Sequence, residues 1–235
     1  AKACHELAPH MELYTIKRTV HHGENAQNDD FASASTIRRA ISDGAIATIR
    51  PYMTEKGIST LTEALRHNVY TDYDDYYKLS LYASRQLSLE KLKTLCAFHE
   101  GIEHRWKRTM GTYRDWHEAM KALKTKRYAY SRLCRMNAYA VLGISQEDAD
   151  RAYAEGPLYI RILGANERGR AIIRDVSKAA SLPVLTKLGK RQSHLSQSAC
   201  AMLAVDTLAT DIQSLVFKSP LPAKRDYTTS PYISS

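Results

Sequence analysis

Between residues 46 and 156 the chain is punctuated at short intervals by residues that start and stop helices, and this most constrains what it can fold into. Ser88, Thr125 and Ser145 are placed as N-caps, Thr112 with Asp115 forms an approximate capping box, and Gly143 supplies a C-terminal stop. Within these limits apolar residues recur at helical spacing. In 71–85 (TDYDDYYKLSLYASR) the acids come early, and Tyr76, Leu79 and Tyr82 or Ala83 are spaced to face a core. Residues 99–110 (HEGIEHRWKRTM) make another such segment, and Ser145 with Glu147 and Asp148 opens the next. Short helices joined by about two to six residues imply an antiparallel helical array, so the fold is expected to be mainly α.

At Gly156-Pro157 the period changes. LYIRIL (158–163) reads as a strand, 167–177 as a helix and PVLTKL (183–188) as a second strand. These would make a small β-α-β unit, with a right-handed crossover if the strands are parallel. A helix from about 196 to 217 follows, and the polar tail 219–235 is expected to wrap the surface without regular structure. At the other end the chain opens on Ala1 without a Met, and AKACHELA reads as an amphipathic helix cut in mid-course; a preceding N-terminal part is expected to be missing. Residues 11–20 (MELYTIKRTV) alternate as a strand, 21–31 form a polar loop, and ASASTIRRAI (32–41) is a helix capped by Ser33 or Ser35 and ended by Gly44. A strand, a polar loop and a Ser/Thr-rich helix start make a phosphate-site geometry. Helix N-terminal amides, the hydroxyls of Ser33, Ser35 and Thr36, and Arg38 one turn in would be its donors.

Charge is concentrated in one place. Residues 121–135 (KALKTKRYAYSRLCR) carry Lys121, Lys124, Lys126, Arg127, Arg132 and Arg135, with Tyr128 and Tyr130 among them and no acid. Widening the window to 105–135 adds Arg105, Lys107, Arg108 and Arg114 against Asp115 and Glu118, a net +8 out of a formal +9 for the chain. As a single helix, 121–135 would gather Lys121, Lys124, Arg127, Arg132 and Arg135 into an arc of about 140°. Such a face suits a polyanion, because neutralising phosphates releases condensed counterions. Trp106, Tyr113, Trp116, Tyr128 and Tyr130 lie nearby in sequence. Aromatics of this kind stack on unstacked bases, so single-stranded loops of RNA are favoured over duplex DNA. A solvated helical face over core aromatics is the competing reading.

The hydrophobic fraction of 44% and charged fraction of 25% are those of a soluble globular protein, with neither a spanning segment nor a signal peptide in view. The expected location is therefore cytoplasmic, with no membrane partner. Cys4, Cys96, Cys134 and Cys200 form no C-x-x-C pair and are expected to be buried thiols in a reducing cytosol. HEGIEH (99–104) puts His99 with Glu103, and Glu100 with His104, at helical i,i+4 spacing. The histidines fall one residue out of the H-E-x-x-H pattern, so an ion-pairing face is expected there and no metal. His21-His22 adjoin the phosphate loop, where at most one can enter a site. Gly164–Gly169, GANERG, is expected to be an ordinary turn.

Several of these stretches resemble one family. ASASTIR (32–38) is similar to the ISSTxIR signature of the nucleotidylyltransferase superfamily. EGIEHR (100–105), LKTKRYAYSRLCRMN (123–137) and PLYIRILGANERG (157–169) resemble the C-terminal half of the tRNA(Met) cytidine acetate ligases, with order and spacing agreeing from about Met11 to Lys190. The resemblance implies the remnant edge of an α/β, Rossmann-like nucleotidyltransferase domain (1–43), a helical, basic RNA-binding region (44–155), a small α/β unit (156–192) and a C-terminal helix and tail (193–235). It implies an enzyme that uses ATP, with Mg2+, to activate acetate as acetyl-adenylate and then acetylates the wobble cytidine of elongator tRNA(Met). By the same match Arg18 and Thr19 would lie near ATP, beside Ser33, Ser35, Thr36 and Arg38. Arg105, Lys121, Lys124, Lys126, Arg127, Tyr128, Arg132 and Arg135 would hold the anticodon arm. The family's HxGH-like motif has no counterpart in this chain, so its catalytic residues are expected in the missing N-terminal part and this chain alone is expected to be inactive. A non-catalytic RNA-binding module and an adenylyltransferase acting on a small molecule are the alternatives.

Overall fold

The computed structural model describes residues 2–17, 31–189 and 194–234 of the chain and divides it into two compact units, Ala1–Arg66 and His67–Ser235. In the first unit, α1 (Lys2–Leu7) is followed by α2 (Ala34–Ser42), α3 (Ile46–Ile49), a 3-10 turn (Arg50–Tyr52) and α4 (Glu55–Arg66). Residues 44–66 thus group with the N-terminal segment, and the division falls later than residue 43. The strand expected over 11–20 has no counterpart in its described part, 11–17, where Leu13, Tyr14 and Ile16 are largely exposed. Alternation makes a strand only where a neighbouring strand completes the hydrogen-bond ladder.

The second unit is built on helices whose starts follow the caps. Asp72 caps α5 (Tyr73–Gln86), Ser88 caps α6 (Leu89–Thr94), Asp115 caps α8 (Trp116–Leu123) and Ser145 caps α10 (Gln146–Glu155), each accepting the amide three residues on. α5 packs on α7 (Ile102–Thr112) and α9 (Tyr130–Leu142), α7 also meets α6 and α8, and α8 meets α9. Trp106 and Trp116 are fully buried at the centre, with Phe98 set edge-on to Trp106 at a centroid separation of 5.1 Å.

The core face of α5 differs from the expected one. Tyr77, Ser80 and Ser84 are buried, while Tyr82 is exposed. The serines are there because the core needs acceptors and donors. Trp106 Nε1 donates to Ser84 Oγ at 2.9 Å, Asn137 Nδ2 donates to Ser80 Oγ at 2.7 Å, and Ser80 donates on to the Tyr76 carbonyl. Lys107 Nζ then ties α7 to the end of α5 by donating to the carbonyls of Ser84, Arg85 and Leu87.

Beyond α10, β1 (Ile160–Arg161) pairs in parallel with β3 (Val184–Leu185), and α11 (Glu167–Ala179) lies between them in sequence. The strands are only two residues long, shorter than the pattern suggested. The tail is more ordered than its composition implied. After α12 (Gln197–Leu215) it forms α13 (Arg225–Thr228) and β4 (Tyr232–Ile233), which pairs in parallel with β2 (Gly164–Ala165). Gly164 admits this approach, since a Cβ there would stand 3.1 Å from the Tyr232 carbonyl oxygen. Arg161 pairs with Asp226, and Lys218 bridges Asp72 at 2.6 Å and Asp75 at 2.5 Å. Among the described residues no helix is long and apolar enough to cross a membrane. Trp106→Ala is expected to destabilise the second unit by about 3–5 kcal/mol, through the cavity and the orphaned Ser84 hydroxyl, read as a lower midpoint in urea unfolding.

Candidate functional site

In the first unit the Ser-rich helix start is a well-formed cap. Ser33, in extended conformation, accepts the Thr36 amide on its Oγ at 3.1 Å, and the Ser33 and Thr36 hydroxyls lie 2.9 Å apart. Those two hydroxyls are therefore engaged with each other and with the cap. The amides of Ala34 and Ser35 have no acceptor within the helix, because the first turn of any α-helix lacks a preceding carbonyl. Ser35 is half-buried and Arg38 is exposed. What remains for an anion is the positive end of α2, the Ser35 hydroxyl and the Arg38 guanidinium. Arg18, Thr19 and the His21-His22 pair lie outside the described residues.

In the second unit the basic segment is two helices and a turn, which corrects the single-helix reading of 121–135. α8 ends at Leu123, with Lys124 as its C-cap, and α9 begins at Tyr130 behind Ala129, whose side chain caps nothing. Thr125 closes a turn: its amide donates to the Tyr128 carbonyl at 3.3 Å, and its Oγ1 accepts the Tyr128 amide at 3.1 Å. The break has a packing cause. It drives the Tyr128 ring into the core, where Leu123 and Leu133 also lie.

This arrangement sorts the candidate residues. Lys121, Lys124, Lys126, Arg127 and Arg135 are exposed; Arg105 and Arg132 are half-buried. Arg127 Nη2 lies 2.6 Å from Glu100 Oε2, and Arg132 Nη2 lies 3.4 Å from His99 Nε2. The Arg132 guanidinium sits over the Tyr128 ring, 4.9 Å from its centroid. Tyr128 is thus buried and covered, and its face is closed to a base. Trp106 and Trp116 are closed in the same way.

Tyr130 is partly exposed and its hydroxyl accepts from Trp116 Nε1 at 2.9 Å. Partial burial raises its pKa, so the phenol is neutral at ordinary pH. The exposed ring that sequence reasoning missed is Tyr73, which stacks on Trp116 with centroids 5.1 Å apart and planes 6° from parallel. It comes from α5, outside the basic stretch in sequence, and nothing local to it signals that role.

HEGIEH is corrected as well. Glu100 and Gly101 have left-handed backbones, with φ of 65° and 87°, and α7 starts only at Ile102. The His99–Glu103 and Glu100–His104 spacings therefore do not lie on one helix. The turn instead points Glu100 at Arg127. Among the described residues no group of three or more His, Cys, Asp or Glu is placed to hold a metal ion. The four cysteines are free; Cys96 is buried, whereas Cys200 is exposed.

A family model described as HIGH Nucleotidyl Transferase matches residues 1–228. The chain belongs to the HIGH nucleotidyl transferase family. Among curated proteins it is similar to the tRNA(Met) cytidine acetate ligase of Bacillus licheniformis, 32% identical over 230 residues that make 94% of this chain and 54% of that protein. The enzyme of the same name from Bacillus velezensis is 32% identical over 240 residues, 98% of this chain and 56% of its own length. The chain spans about half the length of these relatives. Its fold matches that of Thermotoga maritima TmcAL in an apo crystal form, with a TM-score of 0.87 at 21% identity over 98% of this chain and 57% of that one. A second form of TmcAL, bound with alpha-thio ATP, matches with a TM-score of 0.81 at 23% identity over 86% and 52% of the two chains.

Within this HIGH nucleotidyl transferase chain the α2 cap is separable from the charge beside it. Ser33→Ala is expected to cost about 1 kcal/mol and to speed hydrogen exchange at the Thr36 amide, whereas Ser33→Asp keeps both near native values. Exchange measured by NMR on the three proteins decides between a working cap and an incidental contact.

Proposed function

We propose that this chain is part of an ATP-dependent ligase that activates acetate as acetyl-adenylate and transfers the acetyl group to the wobble cytidine of elongator tRNA(Met). The observation that carries the RNA half of this reading is the exposed group Lys121, Lys124, Lys126, Arg127 and Arg135, in a segment without a single acid. The names and coverage of the Bacillus relatives support the chemistry.

In that chemistry an acetate oxygen attacks the α-phosphorus of ATP and pyrophosphate leaves. The cytidine N4 then attacks the acetyl carbonyl, AMP leaves, and the amine gives up a proton. Arg38 and the α2 N-terminus would hold triphosphate oxygens and balance charge building on pyrophosphate, with Arg18 and Thr19 beside them by the family match. Mg2+ would arrive with the nucleotide, held mainly by its phosphates. On the RNA side, Lys121, Lys124, Lys126, Arg127 and Arg135 would contact phosphates of the anticodon arm, joined by half-buried Arg105. Arg132 and Tyr128 act instead as a packed pair that shapes the turn presenting Lys126 and Arg127.

Binding to elongator tRNA(Met), beside a second tRNA, across a salt series tests the RNA reading. Replacing Arg127 and Arg135 together by Ala is expected to weaken binding and lower the slope of log K against log salt by about 1.5–2. An unchanged slope sinks the RNA role of this face. The 235-residue chain has no HxGH-like motif. Given ATP and acetate it is expected to release no pyrophosphate above background, and formation of acetyl-adenylate by this chain alone would refute that assignment.

A further inference from the structure

Along one side of α7, Arg105, Arg108, Thr109 and Thr112 follow one another at helical spacings of three, one and three residues, which stacks them on one stripe. With Tyr113 and Ala122 they line an open cleft of about 410 Å3. Arg105 is held in place there. Its Nε donates to the Ala122 carbonyl at 3.1 Å, and Nη2 donates to the same oxygen in the last turn of α8. The tether aims the guanidinium while leaving its Nη1 donors to another acceptor.

Arg108 is exposed, and its guanidinium has no hydrogen bond or ion pair among the described residues. Thr109 is 4% exposed, yet it lines the cleft and its hydroxyl has no hydrogen-bond partner among the described residues. The hydroxyl oxygen is not among the buried atoms left without a partner, so it reaches the cleft and is open to water or to a ligand oxygen there. The Thr112 hydroxyl donates to the Arg108 carbonyl at 2.9 Å, which leaves its lone pairs to accept. Among the described residues no carboxylate lines the cleft.

We propose that this cleft is a phosphate-binding subsite that takes one nucleotide unit, with the phosphate between Arg105 and Arg108 and a ribose hydroxyl or phosphate oxygen on Thr109. The side chains suit that group: two guanidiniums offer forked donors to its oxygens, the Thr109 hydroxyl can donate or accept, and the Thr112 hydroxyl, already donating to Arg108, can accept from a ribose hydroxyl. The volume falls within the range of about 300–1,000 Å3 common to small-ligand sites, enough for a single nucleotide. An RNA phosphodiester and a free nucleotide share this chemistry. The first source rests on the RNA reading above; the second does not.

The test compares the full 235-residue chain with Arg108→Ala and Thr109→Val, using labelled tRNA in one arm and ATP in the other. Both variants leave the Arg105 tether intact, and circular dichroism checks their fold. Arg108→Ala is expected to weaken tRNA binding about tenfold at low salt and to lower the salt slope by about one, as for a lost phosphate contact. Thr109→Val is expected to weaken it about threefold with the slope unchanged, as for a lost neutral hydrogen bond. Unchanged ATP binding beside these losses assigns the subsite to RNA; weakened ATP binding in both variants assigns it to a free nucleotide. Native-like binding of both probes by both folded variants overturns the proposal. If the native chain binds no tRNA, the RNA reading has failed separately, and the subsite is then upheld by weakened ATP binding in the variants or overturned without it.

Discussion

The hydrogen bond from Trp106 to Ser84, made inside a fully buried core, sets how α7 lies against α5 at the centre of the larger unit. An indole is too large to be buried at several rotations of its helix, and its N–H must find an acceptor wherever it goes. Once Trp106 points at Ser84, α7 has one rotation. Ile102 and Met110 turn inward with it, and Arg105, Arg108 and Thr112 turn toward the cleft beside α8. The side chain next in sequence, Lys107, then reaches the open carbonyls at the end of α5.

The concentration of positive charge is consequently less uniform than it looks on paper. Lys107 serves a helix end, Arg132 covers the Tyr128 ring, Arg105 is tethered to α8, and Arg127 is paired with Glu100. The geometry of each is set by the protein before any partner arrives. Lys121, Lys124, Lys126 and Arg135 are exposed and answer to ionic strength. A polyanion would meet a few pre-aimed guanidiniums among flexible lysines, an arrangement that provides both register and attraction.

Much of the fold was legible in advance because helix caps are local. Ser88 and Ser145 each act through a hydrogen bond three residues away, so the sequence carries the whole interaction, whereas Thr112, expected to open a helix, ends α7 and leaves the cap of α8 to Asp115. Ser33 at the candidate phosphate site was legible for the same reason. The buried serines of α5 were not, because hydrophobic spacing marks Tyr82 as a core residue and passes over Ser80 and Ser84, whose partners lie on α9 and α7. Tyr73 was missed likewise, since its importance comes from a ring on another helix.

By itself, then, the sequence determined the helical elements, the basic stretch and the family, since caps, composition and motif order are written along the chain. Tertiary structure decided that 121–135 is two helices around an inward Tyr128, that the tail pairs at Gly164, and that Arg105, Arg108 and Thr109 share a cleft with Ala122. Each of those depends on which distant residue fills the neighbouring space, and the order of residues along the chain does not encode that directly.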